Sequence, residues 1–260
     1  MDASWLALVR PVYTDEMRPR RLLPARRAVA ISFDDGPADA TCDALELLCT
    51  FEAKATFFMI GSRIPACRDI VAQIADAGHE LGNHTFSHPR LETLAPARLE
   101  EELRSTSDAI EEAAGVRPRL FRPPYGLEGL SAAPVAARLG MTTVRWNVNP
   151  KDWLGSDAET IAGHVIDHVA PGAVVLLHDG SANGADDRSA TVGALGRVLP
   201  RLRADGYSLV TVSELLEESG RARRTVVVRR RSHLRRLAGR LRRGATARGS
   251  SNGTTGASVG

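Results

Sequence analysis

Ala28-Val29-Ala30-Ile31-Ser32-Phe33-Asp34-Asp35-Gly36-Pro37 is an apolar run that stops at two adjacent carboxylates and a Gly-Pro turn. Its Val, Ile and Phe suit a strand, and Gly-Pro is a strong local terminator. Further strand-like runs follow at Ala55–Ile60, Glu80–Asn83, Leu120–Arg122, Thr142–Asn147, Ala173–Leu177 and Ser208–Val212. Helical patterns lie between and after them, near 39–50, 65–77, 96–114, 131–139, 157–169, 188–204 and 213–218. Strands separated by helices of this length read as repeated βα units and a parallel sheet. About seven such units favour a closed arrangement over an open sheet. The expected fold is therefore α/β, a distorted (β/α) barrel of about seven parallel strands in a single domain.

The placement of the polar residues supports the barrel further. Asp34-Asp35, His84, Arg122, Asp152 and His178 each fall just after a strand-like run. In α/β barrels the C-terminal ends of the strands converge on one face, where active sites are built.

The residue types in those runs point to a metal-dependent hydrolase. One Asp and two His, here His84 and His88, make the three-ligand set of a catalytic divalent ion that keeps a position open for water. The second Asp is then available as a general base. Read alone, Asp34-Asp35-Gly36-Pro37 is first a turn whose side chains cap backbone amides; the other runs reverse that reading. Gly82, Asn83 and Pro89 flank the histidine pair and favour a loop over a helix. His164 and His168 repeat the spacing inside a helical pattern without an acidic partner and read as helix surface, while His79 and His233 read as isolated structural histidines.

Arg122 opens a Pro-Pro turn that restricts the backbone after it, and its guanidinium can pair with and aim Asp34; a surface arginine beside a proline turn is the plainer alternative. Asp152, next to Trp153, is a capping residue or the orienting partner of a histidine. His178 ends a buried run and is the candidate general acid.

The formal charge of +3 conceals an asymmetry: twelve arginines and no Asp, Glu or Lys follow Ser219, which leaves −9 on residues 1–218. Three regions result: an Arg-rich lead-in at 1–27, the catalytic domain at 28–218, and a basic, largely disordered tail at 219–260. Within the tail, Leu234, Leu237 and Leu241 share one face of a short amphipathic helix opposite several arginines. Residues 221–243 are thus a candidate contact for an anionic membrane surface. No aromatic residue interleaves with these arginines, so specific nucleic-acid binding is not expected. Cys42, Cys49 and Cys67 suggest no disulfide framework, and the first two are expected to be buried small apolar residues. Without a signal-peptide core or a membrane-spanning run, the expected location is cytoplasmic, peripheral at a membrane if the tail binds one. The sequence leaves the oligomeric state open.

In this order the runs resemble the polysaccharide deacetylase family, the NodB-homology domain of carbohydrate esterase family four. Its signature is Thr-Phe-Asp-Asp-Gly, His-(Ser/Thr)-x-x-His, Arg-x-Pro-x-Gly, an Asp-x-x-Asp-Trp-like run and Leu-x-His. The resemblance covers about residues 25–218. It implies that Asp35, His84 and His88 hold the metal, Asp34 is the general base, His178 the general acid, Arg122 the partner of Asp34 and Asp152 the partner of His178. It also implies that Tyr125 offers its backbone N–H to the oxyanion and that Trp153 and Leu176 line a pocket for the acetyl methyl. The implied cofactor is a divalent ion, zinc first and cobalt or a similar ion second. The implied activity is removal of N-acetyl groups from an N-acetylglucosamine-containing oligo- or polysaccharide, with release of acetate. Chitooligosaccharide, peptidoglycan and a biosynthetic N-acetylglucosaminyl intermediate all fit as substrates. Ser32 replaces the usual Thr of the first motif, and Asn149 stands where the fourth motif commonly has its first Asp. Two other readings remain at this level: a related amide or O-acetyl ester hydrolase of the same fold, and an inactive barrel that acts as a binding protein through its basic tail.

Overall fold

A computed structural model describes residues 26–220 except 128, 130 and 183–186. The lead-in before residue 26 and the basic tail beyond residue 220, with the amphipathic helix expected around Leu234, Leu237 and Leu241, lie outside the described residues. Seven parallel strands are present: β1 (Ala28–Asp34), β2 (Ala55–Met59), β3 (Glu80–Asn83), β4 (Leu120–Phe121), β5 (Thr142–Thr143), β6 (Ala173–His178) and β7 (Ser208–Leu209). The helices are α1 (Asp39–Thr50), α2 (Arg68–Asp76), α3 (Pro96–Ala114), α4 (Ala132–Arg138), α5 (Ala158–His168) and α6 (Ser189–Ala204), and residues 212–220 are also helical.

The strand order is β5-β4-β3-β2-β1-β6, with β7 paired to the start of β1 through Ala28↔Ser208 and Val29↔Leu209. The expected α/β barrel is thus the observed fold, distorted because its closure is minimal. Past β5 the chain crosses to β6 and makes one bridge, Val148↔Val175, where Asn147 Oδ1 also accepts the Val174 N–H at 2.7 Å. This explains why the run 142–147 forms only two strand residues. Its neighbour β4 ends at Phe121 because Pro123 and Pro124 have no N–H to extend a ladder, so the chain beyond Thr143 is free to bond β6.

Side chains alternate across β1 as strand geometry requires. Val29, Ile31 and Phe33 pack outward in the main core with Leu48 of α1, Ile161 and Val165 of α5 and Leu195, Val198, Leu199 and Leu202 of α6. Each such side chain, fully buried, contributes about 1.5–3 kcal/mol, which docks the helices on the sheet. Ala28 and Ala30 face the barrel interior with Phe58, Val144, Val174 and Val210. Small residues at these positions leave room inside a narrow barrel, and the same inward face continues to Ser32 and Asp34. The sequence therefore writes a greasy outer face and a small, then polar, inner face into one strand.

All three cysteines are free, but Cys49 is exposed and Cys42 and Cys67 are only partly covered. The expectation that Cys42 and Cys49 are buried fails, because the buried stripe of α1 runs through Thr41, Ala44 and Leu48 instead. Among the described residues no helix is long and apolar enough to cross a membrane.

Candidate active site

Asp34 is the last residue of β1 and lies beside His178 of β6 in register, as Ser32 lies beside Leu176. Asp35 follows in the left-handed region at φ 73. That conformation, unusual for a residue with a Cβ, keeps both carboxylates on the same side. His84 Nε2 is 3.7 Å from Asp34 Oδ2 and 3.4 Å from Asp35 Oδ1, and His88 Nε2 is 3.3 Å from the same Asp35 oxygen.

The histidine loop is held from behind. His84 Nδ1 faces the Arg122 carbonyl at 2.7 Å; a carbonyl only accepts, so this nitrogen carries the proton and Nε2 points at the carboxylates. Asn83 Oδ1 accepts the Thr85 N–H at 2.9 Å, and its amide donates to Leu103 O at 2.8 Å and Ser107 Oγ at 3.1 Å. Buried Glu102 of α3 accepts from Phe86 N at 2.8 Å, Ser87 N at 2.7 Å and Ser87 Oγ at 2.9 Å. His88, the next residue after Ser87, has a left-handed φ of 56. The loop predicted around His84 and His88 is therefore observed, but its anchor, Glu102, reads in the sequence as one more acidic letter of α3.

Arg122 is fully buried. Its Nη1 donates to Asp34 Oδ1 at 2.7 Å and to Ser32 Oγ at 2.9 Å, and its guanidinium lies 4.0 Å from the Phe58 ring centroid. Ser32 in turn donates to Val175 O at 2.7 Å. A residue that reads as a minor replacement in the strand is thus the link from Arg122 to β6.

At the end of neighbouring β6, Asp152 holds His178 twice, through the backbone N–H and the ring Nδ1, both at 2.8 Å. Thr191 of α6 donates to the same carboxylate at 2.9 Å. Asn149 does not share this work by any contact seen here; its Oδ1 accepts the Lys151 N–H at 3.0 Å in a local turn. Trp153 packs its ring against His178 with centroids 5.0 Å apart, and Tyr125 packs against His88 at 4.6 Å. Both aromatics remain open to solvent, at 41% and 53% exposure, so they form two walls of a cleft. Tyr125 also has a positive φ, 59, in the turn closed by Gly126 N to Pro123 O at 3.1 Å. Leu176 is buried on β6.

Electrostatics fit a cation between the carboxylates. Burial pushes the Asp35 carboxyl up, but the His84, His88 and His178 rings outweigh it and hold it at about 2. Burial pushes His84 down, and Asp34 and Asp35 more than reverse this. Burial and then His84 drive His88 down to about 4, so His88 offers a free lone pair at neutral pH. A pocket that draws a proton onto one histidine and keeps the next neutral can exchange that proton for a metal ion. Asp35 Oδ1 is buried without a hydrogen-bond partner, and one ligand atom from each of Asp35, His84 and His88 lies within 4.8 Å of the others. These residues fit a divalent ion. The control pair behaves differently: His164 and His168 stack on each other at 4.1 Å on the side of α5, without a carboxylate between them.

Two groups outside the expected set brace the turn, a buried Asp179 and a half-buried Arg63. Asp179 accepts from Thr41 Oγ1 at 2.6 Å, and a Cβ on Gly36 would come within 2.4 Å of it. Burial pushes its carboxyl up to about 7. Arg63 Nη1 donates to the carbonyls of Asp35 at 2.9 Å and Ser181 at 2.7 Å.

The polysaccharide deacetylase family model matches residues 23–144, which takes in Asp34-Asp35, His84, His88 and Arg122 but stops before Asp152 and His178. A peptidoglycan-N-acetylglucosamine deacetylase of Bacillus cereus is 40% identical over 193 residues, 73% of this chain and 88% of that protein. A chitooligosaccharide deacetylase of Bradyrhizobium is 35% identical over 198 residues, 73% of this chain and 90% of that one. The solved structure of peptidoglycan deacetylase PdaC from Bacillus subtilis superposes with a TM-score of 0.71 at 33% identity, covering 80% of this chain and 98% of the solved chain. A pseudoenzyme of the same esterase family from Bacillus anthracis gives 0.68 at 29% identity over 75% of this chain and 67% of its own. On sequence and fold together, this chain belongs to the polysaccharide deacetylase family, the NodB-homology fold of carbohydrate esterase family four.

Proposed function

We propose that the protein is a metal-dependent deacetylase that hydrolyses the acetamide of N-acetylglucosamine units in an oligo- or polysaccharide. The observation that carries this reading is the buried, unpartnered Asp35 Oδ1 faced by two histidine Nε2 atoms, with Asp34 and His178 braced on the same rim. Because a relative can be a pseudoenzyme, the completeness of this set matters: ligands, base, acid and their partners are all present.

Asp35, His84 and His88 would hold the ion, for which the mixed carboxylate and imidazole set suits zinc, with cobalt as a substitute. When bound, such an ion polarises the acetamide carbonyl and acidifies the attacking water. Asp34, aimed by Arg122, takes the proton from that water as its oxygen bonds to the carbonyl carbon. The Tyr125 N–H adds a donor for the oxyanion. His178 delivers a proton to the sugar nitrogen as the C–N bond breaks, so acetate and a free amine leave. Trp153 and Leu176 cover the acetyl methyl, and Trp153 with Tyr125 presents two apolar faces to the sugar.

The test is acetate release from a panel of chitooligosaccharides and peptidoglycan fragments, before and after exhaustive chelation and after zinc is restored. Turnover that survives chelation overturns the metal assignment. Asp34→Asn should lower kcat on the order of a hundredfold or more while keeping the ion, and His168→Ala should alter neither.

A further inference from the structure

We infer that Arg63 is a positioning residue for the metal site, a strut that holds Asp35 in its left-handed conformation and ties it to the histidine loop; this rests on the ligand assignment above. Asp35 is one of six described non-glycine residues with positive φ, at 73. A side chain held there is strained and persists only where its surroundings impose it. The imposing contact falls on the Asp35 carbonyl. Arg63 Nη1 donates to that oxygen at 2.9 Å and to Ser181 O at 2.7 Å, so one nitrogen clamps the β1–α1 turn to the loop after β6. Gly180 makes room for this, since a Cβ there would lie 2.2 Å from Asp35 O.

The segment that carries Arg63 also holds the histidines. Arg63 belongs to the short 3-10 helix Gly61–Ala66. The backbone N–H of Gly61 donates to Thr85 O at 3.0 Å and that of Ser62 to Phe86 O at 2.9 Å, and Thr85 and Phe86 lie between His84 and His88. One short helix therefore fixes the acid ligand through a side chain and the two imidazole ligands through its backbone. Its position sets the spacing of the three ligand atoms.

Electrostatics and positioning predict opposite signs here, which makes the inference decidable. A cation beside a metal site repels the metal, so loss of the Arg63 charge alone should tighten binding. Loss of the strut should weaken it, because Asp35 can relax towards negative φ and swing its carboxylate away from His84 and His88. Arg63 lines a cavity of about 570 Å³ outside the turn, together with Asp179, Ser181 and Arg188 and without any of the three ligands. Its truncation therefore opens space already present and should leave the fold intact.

The experiment is zinc affinity of the metal-free protein by competition with a chelating dye, for wild type, Arg63→Met, Arg63→Lys and the exposed-site control Arg68→Met. Arg63→Met should bind zinc about ten- to a hundredfold more weakly, the range seen when a group behind a metal ligand is lost. Its thermal midpoint without metal and its circular dichroism should match wild type, and Arg68→Met should bind as wild type does. Arg63→Lys keeps the charge but not the planar guanidinium, so an intermediate loss supports the strut. Should Arg63→Met fail to fold, Arg63→Lys decides alone: weaker binding supports the inference and wild-type affinity overturns it. Unchanged or tighter binding by Arg63→Met overturns it while the metal site stands. A wild-type protein that binds no zinc removes the ligand assignment and this inference together.

Discussion

Asp152 accepts both the backbone N–H and the ring Nδ1–H of His178, each at 2.8 Å, so a single carboxylate fixes that histidine's position and its tautomer. With Nδ1 taken by Asp152, Nε2 is the ring nitrogen left to deliver a proton. Burial pushes the His178 pKa down, and the pairing with Asp152 more than offsets it, leaving it above the ordinary imidazole value. The catalytic form of a general acid is the protonated one. Activity should fall as pH rises through this pKa, and Asp152→Asn, which removes the anionic partner, should move the alkaline limb of kcat/KM to lower pH. A profile whose alkaline limb stays in place in Asp152→Asn rejects the assignment of His178 as the acid.

Arg122 and Asp34 form a buried ion pair at 2.7 Å. Arg122→Leu leaves the Asp34 charge without its partner in the barrel, and the expected loss is about 3–5 kcal/mol of stability, read as the shift in urea midpoint. Ser32→Ala removes a donor to Val175 and an acceptor for Arg122 and should cost about 1–3 kcal/mol. Ser32→Thr keeps the hydroxyl and should cost less; equal losses in the two variants would mean that this hydrogen bond contributes nothing.

Glu102 supports the histidine loop through three accepted hydrogen bonds. Glu102→Ala should free two backbone amides and lower metal affinity about ten- to a hundredfold without touching a ligand. Hydrogen exchange should show faster exchange of the Phe86 and Ser87 amides in this variant. Native protection at those amides would remove the loop from this account.

The arginine tail supports a proposal of its own. Residues 221–243 lie outside the described residues, but their charge opposes that of the body, and each exposed arginine adds roughly 1 kcal/mol of attraction at an anionic membrane. Full-length protein should co-sediment with acidic vesicles in a salt-sensitive way, and a version ending at Ser219 should not. Equal sedimentation of the two leaves the tail as a solvated extension.

The sequence by itself determined the order of strands and helices, and the position of Asp34, His84, Arg122 and His178 at strand ends; Asp152 instead opens a 3-10 turn well past the end of β5 at Thr143. Those signals are local: β-branched and aromatic runs, helical periodicity, and Gly or Pro at the turns that follow. What residue types alone left undivided was the labour of the two aspartates, and for that the family resemblance was needed. In the structure the two differ in placement: Asp34 ends the ladder paired with Arg122, while Asp35 lies past it at positive φ, facing both histidines. The supports of the site were not legible at all. Ser32, Arg63, Glu102, Asp179 and Thr191 are ordinary letters in strand, loop or helix. Each acquires its role only from partners between 15 and 143 residues away in the chain. A hydrogen bond depends on distance and direction in space, and those are set by barrel closure and helix docking, which no local pattern records.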